Sequence, residues 1–330
     1  MKKHIPIYIV IFVTLLALVK FGIAHPIIAD GRTFAETGRR IVDGNYQNIY
    51  DPIIGSGPYI YVPYASLFFA ALHPFAIQTE PYYGFNIYAA LSVLAIPAIF
   101  YLLCFREKQD DRANDFYTVS FVAIYFFGVI WESIYIGQID LSLMLLLLLA
   151  FIVFPGRTIG YAILGIVLAF KPQFSLLFAA QLKENYIKSF AIACLVNLML
   201  LAVFVFITNV DIETILKFFT EFTNRASGAS STIGVTNQSL VADLNRIFYS
   251  DKFVGRYWPD MLSPNANYQY LGLLKSGGQL PKQIFMGVYF TIAILSILPI
   301  YKNIRSYHLF VIVLALLPSI SPLFWQVHSI

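Results

Sequence analysis

Apolar residues gather in runs near the roughly 20 residues that cross a hydrocarbon core. The runs recur along the whole chain, most clearly at 5–23, 85–105, 189–207 and 283–300. Nine spans fit the pattern, at about 5–23, 60–78, 85–105, 116–131, 139–155, 158–181, 188–208, 283–300 and 307–325. The expected fold is therefore all-α: one integral membrane domain, a polytopic helical bundle of about nine transmembrane helices. Two polar segments, 24–59 and 209–282, are too long for simple turns and are expected as extracytoplasmic loops. The second should open as an amphipathic helix around 212–222 and continue through a Ser/Gly-rich stretch.

Composition agrees with a membrane setting. Of 330 residues, 58% are hydrophobic and 12% charged, where a soluble domain carries about a quarter charged. The net charge of +4 includes no basic tract, so a bilayer is the expected partner and nucleic acid is not. Cys104 and Cys194 lie in apolar segments, which supports neither a disulfide framework nor a zinc site. Lys2, Lys3 and His4 precede the first apolar run as in a signal peptide, and Gly22-Ile23-Ala24 offers a small-x-small pattern. That run is long, and Lys20 interrupts it near its end, so an uncleaved first helix is expected.

With the N-terminus in the cytoplasm, nine spans put 24–59 and 209–282 outside and 183–188 and 301–307 inside. Lys and Arg are nearly balanced between the short inside and outside segments, so charge alone does not fix the topology. The alternative treats 60–78 as a re-entrant or interfacial helix. It moves 106–115 inside and Lys183 and Lys188 outside, and ranks second for that reason.

A few residues could carry chemistry. Asp30 follows the first span closely and Arg32 is two positions on, a depth suited to a lipid-linked phosphate. If 33–42 is helical, Asp30 lies near its N-terminus, where unpaired amides favour an anion; plain helix capping explains it equally well. Lys171 is deep in the apolar segment 159–180 and is followed by Pro172. An intramembrane charge needs water, an anion or a carboxylate, and the proline points to a broken helix lining a cavity; the bland reading is a snorkelling lysine. Residues 132–140 hold Glu132, Gln138 and Asp140 around Gly137, which an inter-helix turn also explains. Trp325 and His328 read by themselves as an interfacial anchor and a loop histidine, and Asn237-Gln238-Ser239 is a common sequon. No phosphate-cradling glycine loop, metal-binding His/Glu pair or Gly-x-Ser-x-Gly elbow is present in the sequence.

In order and spacing these pieces resemble glycosyltransferase family eighty-seven, a branch of the GT-C membrane enzymes that includes polyprenyl-phosphate-mannose-dependent mannosyltransferases. The resemblance runs through Asp30, Gly44, Tyr50-Asp51, Tyr61-Val62-Pro63, Gly137-Gln138-Ile139-Asp140, Lys171-Pro172, Asn237-Gln238-Ser239 and the late Ser321-Pro322-Leu323-Phe324-Trp325-Gln326-Val327-His328. Asp140 stands where the family usually has Asn, and Val327 replaces the first of two histidines. The chain also stops two residues after His328, where relatives generally continue, so a C-terminally shortened copy is expected.

The resemblance implies a transferase that moves a hexose, mannose favoured, from a polyprenyl-phosphate donor to an extracytoplasmic glycolipid or glycan acceptor. It implies inversion with Asp30 as general base, and no metal or other cofactor. Arg32, Tyr50, Asp51, Tyr61, Gln138, Lys171, Asn237 and His328 would contact substrate, with Arg32, Lys171 and His328 meeting the phosphate. The setting it implies is a bacterial plasma membrane with the active site facing out. A multi-helix transporter or lipid-linked sugar flippase is the leading alternative from another class, though the chain has no convincing internal repeat. An O-antigen polymerase or ligase and a non-catalytic envelope partner are the remaining readings.

Overall fold

The computed structural model describes residues 5–23, 27, 29–51, 53, 59, 61–79, 83–104, 134, 137–172, 174 and 186–230. The chain divides into two compact units, one of 1–172 with 187–222 and Ile330, the other of 173–186 with 223–329.

Helix α1, Ile5–Ala17, runs on without a break as a wider π turn, Leu18–Ile23. Lys20 lies in that turn, exposed, 5.1 Å from the centre of the Phe21 ring, a cation–aromatic contact that gives the charge a partner at the edge of the apolar run. The carbonyl of Gly22 accepts a hydrogen bond from the Asn86 amide at 2.8 Å, which ties the end of α1 to the start of a later helix.

Helix α2, Ala29–Val42, is strongly two-faced. Thr33, Phe34, Thr37 and Ile41 are buried, while Arg32 and Arg39 face outward. Glu36, Arg39, Arg40 and Asp43 form an ion network along it, and the hydrogen bonds from Arg39 hold the Glu36 carboxyl below its usual range. Arg40 is mostly buried and donates to the carbonyls of Asn48 and Asp51, folding the chain after α2 back onto it.

The expected span 60–78 is not one helix. It consists of a 3₁₀ turn at Pro63–Ala65, a seven-residue helix α3, Ser66–Leu72, and a second 3₁₀ turn at His73–Phe75. Pro63 opens the segment and Pro74 interrupts it, each removing a backbone donor that a long α-helix would need. The piece packs on α2, with the Phe34 and Phe69 rings stacked at 4.4 Å. Gly38 is the point of closest approach: a Cβ there would lie 2.4 Å from the Phe69 carbonyl oxygen. A short antiparallel ribbon follows, β1 Ile77–Thr79 against β2 Tyr83–Phe85 with Gln78 opposite Gly84. It is the one departure from the all-α expectation among the described residues.

Helix α4 is Ile87–Cys104. Helix α5, Asp140–Leu148, continues as a π turn to Val153 and reverses through a turn at Gly156 into α6, Thr158–Phe170. This hairpin carries Asp140 and Lys171 at its two open ends. Helix α7, Tyr186–Thr208, is 23 residues, long and apolar enough to cross a membrane, with little of its surface buried in the protein. Shorter apolar helices lie at Ile11–Ile23, Ile87–Ile99, Asp140–Val153 and Thr158–Phe170. Asn197, in the middle of α7, donates to the carbonyls of Gly165 and Ala193 and accepts from the Tyr64 hydroxyl at 2.8 Å, pinning three elements together. Helix α8, Ile212–Ser230, follows at once. The expected spans 116–131, 283–300 and 307–325 lie outside the described residues.

Candidate functional site

Three separate stretches meet around Asp30. The first is the N-terminal turn of α2, whose unpaired amides favour a carboxylate. The second is the approach to α5. Gly137 takes a positive φ of 76° that a side chain would resist, and its amide donates to the Ile134 carbonyl. That turn presents Gln138, whose carbonyl is fixed by the Ser92 hydroxyl of α4 at 2.6 Å. The Gln138 side-chain amide then donates to Asp30 Oδ2. The third stretch is the end of α6, where the Lys171 amide still closes on the Val167 carbonyl at 2.9 Å while its ammonium pairs with Asp140 Oδ1. Asp140 at a helix N-terminus and Lys171 at a helix C-terminus each suit the local dipole.

Asp30 is half-buried, and its carboxyl is pushed up from 3.8 to about 6. Burial is the largest cause and the Asp140 charge the next. Lys171 and the Gln138 hydrogen bond act in the opposite direction without cancelling these. A carboxylate half-ionised near pH 6 is a better proton acceptor than an ordinary aspartate while still being available as the anion at neutral pH. Gln138 Oε1 is buried and has no hydrogen-bond partner among the described residues, leaving one acceptor beside the Asp30 carboxyl.

An aromatic wall stands next to this centre. Tyr61 lies within electrostatic reach of both Asp30 and Asp140, and its carbonyl accepts from the Tyr50 hydroxyl at 2.7 Å. Tyr59, Tyr61, Phe69 and Phe170 pack edge to face or tilted with ring centres 5.6–6.3 Å apart.

Of the residues singled out in the sequence, the structure thus gathers Asp30, Gln138, Lys171 and Tyr61, with Tyr50 behind Tyr61. Arg32 is exposed on α2 and Asp51 is exposed with its carbonyl engaged by Arg40; neither enters the cluster. Asn237 and His328 lie outside the described residues. Lys171 does not snorkel but is buried against a carboxylate. Asp140 was noted in the sequence but not as the partner of Lys171, although the need of a buried lysine for an acid within reach was a usable signal. Ser92, which anchors Gln138, had none.

The expected topology places three crossings, 60–78, 85–105 and 116–131, between Asp30 and Gln138, whose side chains are in contact. The segment 60–78 is broken and short rather than one helix, and 116–131 lies outside the described residues. Phe218 of α8 packs on Tyr50 at 5.7 Å.

These features define a helical protein whose centre joins a carboxylate, an amide and an ion pair. Among the described residues no cluster of three or more His, Cys, Asp or Glu could hold a metal ion. The profile of glycosyltransferase family 87 matches residues 59–271, well over half of the chain, and the protein belongs to that family of membrane glycosyltransferases. The match covers Tyr61, Gln138, Asp140 and Lys171; Asp30 precedes it. No curated protein and no solved structure matches the chain.

Proposed function

We propose that the protein transfers a hexose, mannose favoured, from a polyprenyl-phosphate carrier to a glycolipid or glycan acceptor on the extracytoplasmic face of a bacterial plasma membrane. Asp30 takes the proton of the acceptor hydroxyl as that oxygen attacks the anomeric carbon. The bond from that carbon to the phosphate oxygen breaks with its electron pair leaving on the phosphate, and configuration inverts. The observation that carries the reading is the Asp30 carboxyl, half-buried, raised to about 6 and oriented by Gln138. General-base assistance of this kind contributes about 10²- to 10⁴-fold.

Charge growing on the departing phosphate requires cations or amide donors in a dry site. Lys171 is suited to this because its ammonium, paired with Asp140, lies within electrostatic reach of Asp30; Arg32 and His328 are further candidates. Tyr61 and Tyr50 offer flat apolar faces to a sugar or a prenyl chain. The donor carries a single phosphate, so a divalent ion has no diphosphate to bridge, and the proposed reaction proceeds without a cofactor.

The test is transfer from a panel of radiolabelled polyprenyl-phosphate sugars to membrane glycolipid extract, using protein in nanodiscs. Wild type should transfer from the mannosyl donor, and Asp30→Asn at matched folding should not. Undiminished transfer by Asp30→Asn would remove the proposed base, and transfer only from other sugars would correct the donor.

A further inference from the structure

Helix α8 has three faces rather than two. Ile215, Phe218 and Phe222, at i, i+3 and i+7, face the protein; Phe218 is 2% exposed and touches both Tyr50 and Phe204. Glu213, Lys217 and Thr220, at i, i+4 and i+7, form an exposed polar stripe. Between these lie Ile212 and Leu216, one turn apart, which are 76% and 62% exposed. Buried side chains explain the first face and water the second. Neither explains two large aliphatic side chains presented together.

The approach to the helix supplies the missing solvent. Phe206 and Ile207, in the last turn of the one described helix long enough to span a bilayer, are 87% and 55% exposed. Asn209 then turns the chain with a φ of 49° and Asp211 caps α8 by accepting from the Thr214 amide at 2.8 Å. The new helix cannot continue along the axis of α7. A straight continuation would separate the Cα atoms of residues 204 and 218 by about 21 Å, whereas their rings are 6.2 Å apart. The exposed apolar surface of α7 therefore passes within three connecting residues into Ile212 and Leu216 on a helix that has turned away from the α7 axis.

We infer that α8 lies along the bilayer surface, with Ile212 and Leu216 inserted at the boundary between headgroups and acyl chains and Glu213, Lys217 and Thr220 in water. Helices of this kind immerse their apolar face about 5–10 Å into that boundary. The occupant of the apolar stripe is lipid, because the stripe continues a surface that is itself lipid-facing. Through Phe218, the same helix holds Tyr50 and the aromatic wall at a fixed depth relative to the lipid headgroups. The inference rests on membrane embedding alone and stands whichever sugar is transferred.

Site-directed spin labelling in nanodiscs tests it. In a Cys104→Ser, Cys194→Ser background that retains the thermal unfolding profile of the natural chain, labels are attached at Ile212→Cys, Leu216→Cys and Lys217→Cys. Relaxation by dissolved oxygen, which partitions into lipid, is compared with relaxation by a water-soluble nickel chelate. The expected result is retention of the oxygen effect and loss of the nickel effect at 212 and 216, with the nickel effect present at 217. Nickel relaxation at 212 and 216 equal to that at 217 would show a water-facing helix and overturn the inference. Loss of both effects at 212 and 216 would show a protein-covered stripe and overturn it equally. Because the stripe is read at two positions, failure of one variant to fold leaves the other to decide.

Discussion

Replacing Asp140 by Asn should move the pH at which the enzyme loses activity. Asp30 stands at about 6 against 3.8 in a free chain, a difference of about two units, or about 3 kcal/mol. Burial contributes most and is untouched by the substitution. The Asp140 charge is the second contributor, and Lys171, which pulls the other way, is at present shared with Asp140. Neutralising residue 140 removes one raising influence and releases a lowering one, so Asp30 should fall by on the order of one unit.

Lys171 is left buried without its carboxylate, a loss of about 3–5 kcal/mol in comparable sites, so rates must be normalised to folded protein. The assay is kcat/KM for glycosyl transfer between about pH 4.5 and 8.5, which reports the base of the free enzyme. The natural enzyme should lose activity as pH drops through about 6, when Asp30 is protonated. In Asp140→Asn that limb should move to lower pH by roughly one unit. A limb that stays in place or moves up, in an enzyme still inactivated by Asp30→Asn, would refute the electrostatic coupling of Asp140 to the base.

Three further outcomes follow from the same geometry. Because the Asp30 carboxyl is raised in the folded chain, the fold holds a proton between pH 3.8 and about 6 that the unfolded chain has released, and stability declines as pH rises through that window. Asp30→Asn should therefore unfold later than the natural protein at pH above 7, by up to about 3 kcal/mol, with the advantage gone near pH 4; denaturation in detergent at the two pH values checks it. Gly38→Ala would force α2 away from the Phe69 carbonyl, 2.4 Å from the new carbon, and should cost about 1–3 kcal/mol with a matching drop in Tm. Asn197→Leu removes the partner of the Tyr64 hydroxyl and the interhelical donor to the Gly165 carbonyl; a double-mutant cycle with Tyr64→Phe should give a coupling of about 0.6–1.7 kcal/mol.

Much of this arrangement was legible before any coordinates. Hydropathy located α1, α4, α7 and the α5–α6 hairpin because apolar runs respond to one requirement, the internal pairing of backbone groups in lipid. It failed at 60–78, where an equally apolar run is cut by Pro63 and Pro74 and folds onto α2. Hydropathy measures what a segment is made of, and cannot distinguish burial against protein from burial in lipid. Asp30 and Lys171 were legible for the opposite reason: a charge in an expensive place demands a partner. Which partner each would find was not, since Gln138 is 108 positions from Asp30 and only the packing of α2, α4 and α5 brings them together. Arg32, attractive by proximity in sequence, is on the outer face of α2 because two residues along a helix is more than half a turn.

The Ser92 bond to the Gln138 carbonyl has a consequence for how such a chain matures. It makes the proposed proton acceptor a product of assembly rather than of any one insertion event. While the ribosome is still threading α4 into the bilayer, Asp30 has no amide to orient it, no neighbouring acid to raise it and no lysine nearby. It is then an ordinary, solvated aspartate that titrates with all the others. Only when the α5–α6 hairpin has docked does the carboxyl acquire the surroundings that the proposed mechanism requires, so on that mechanism a half-made chain carries the residue but cannot use it on the lipid-linked sugars around it.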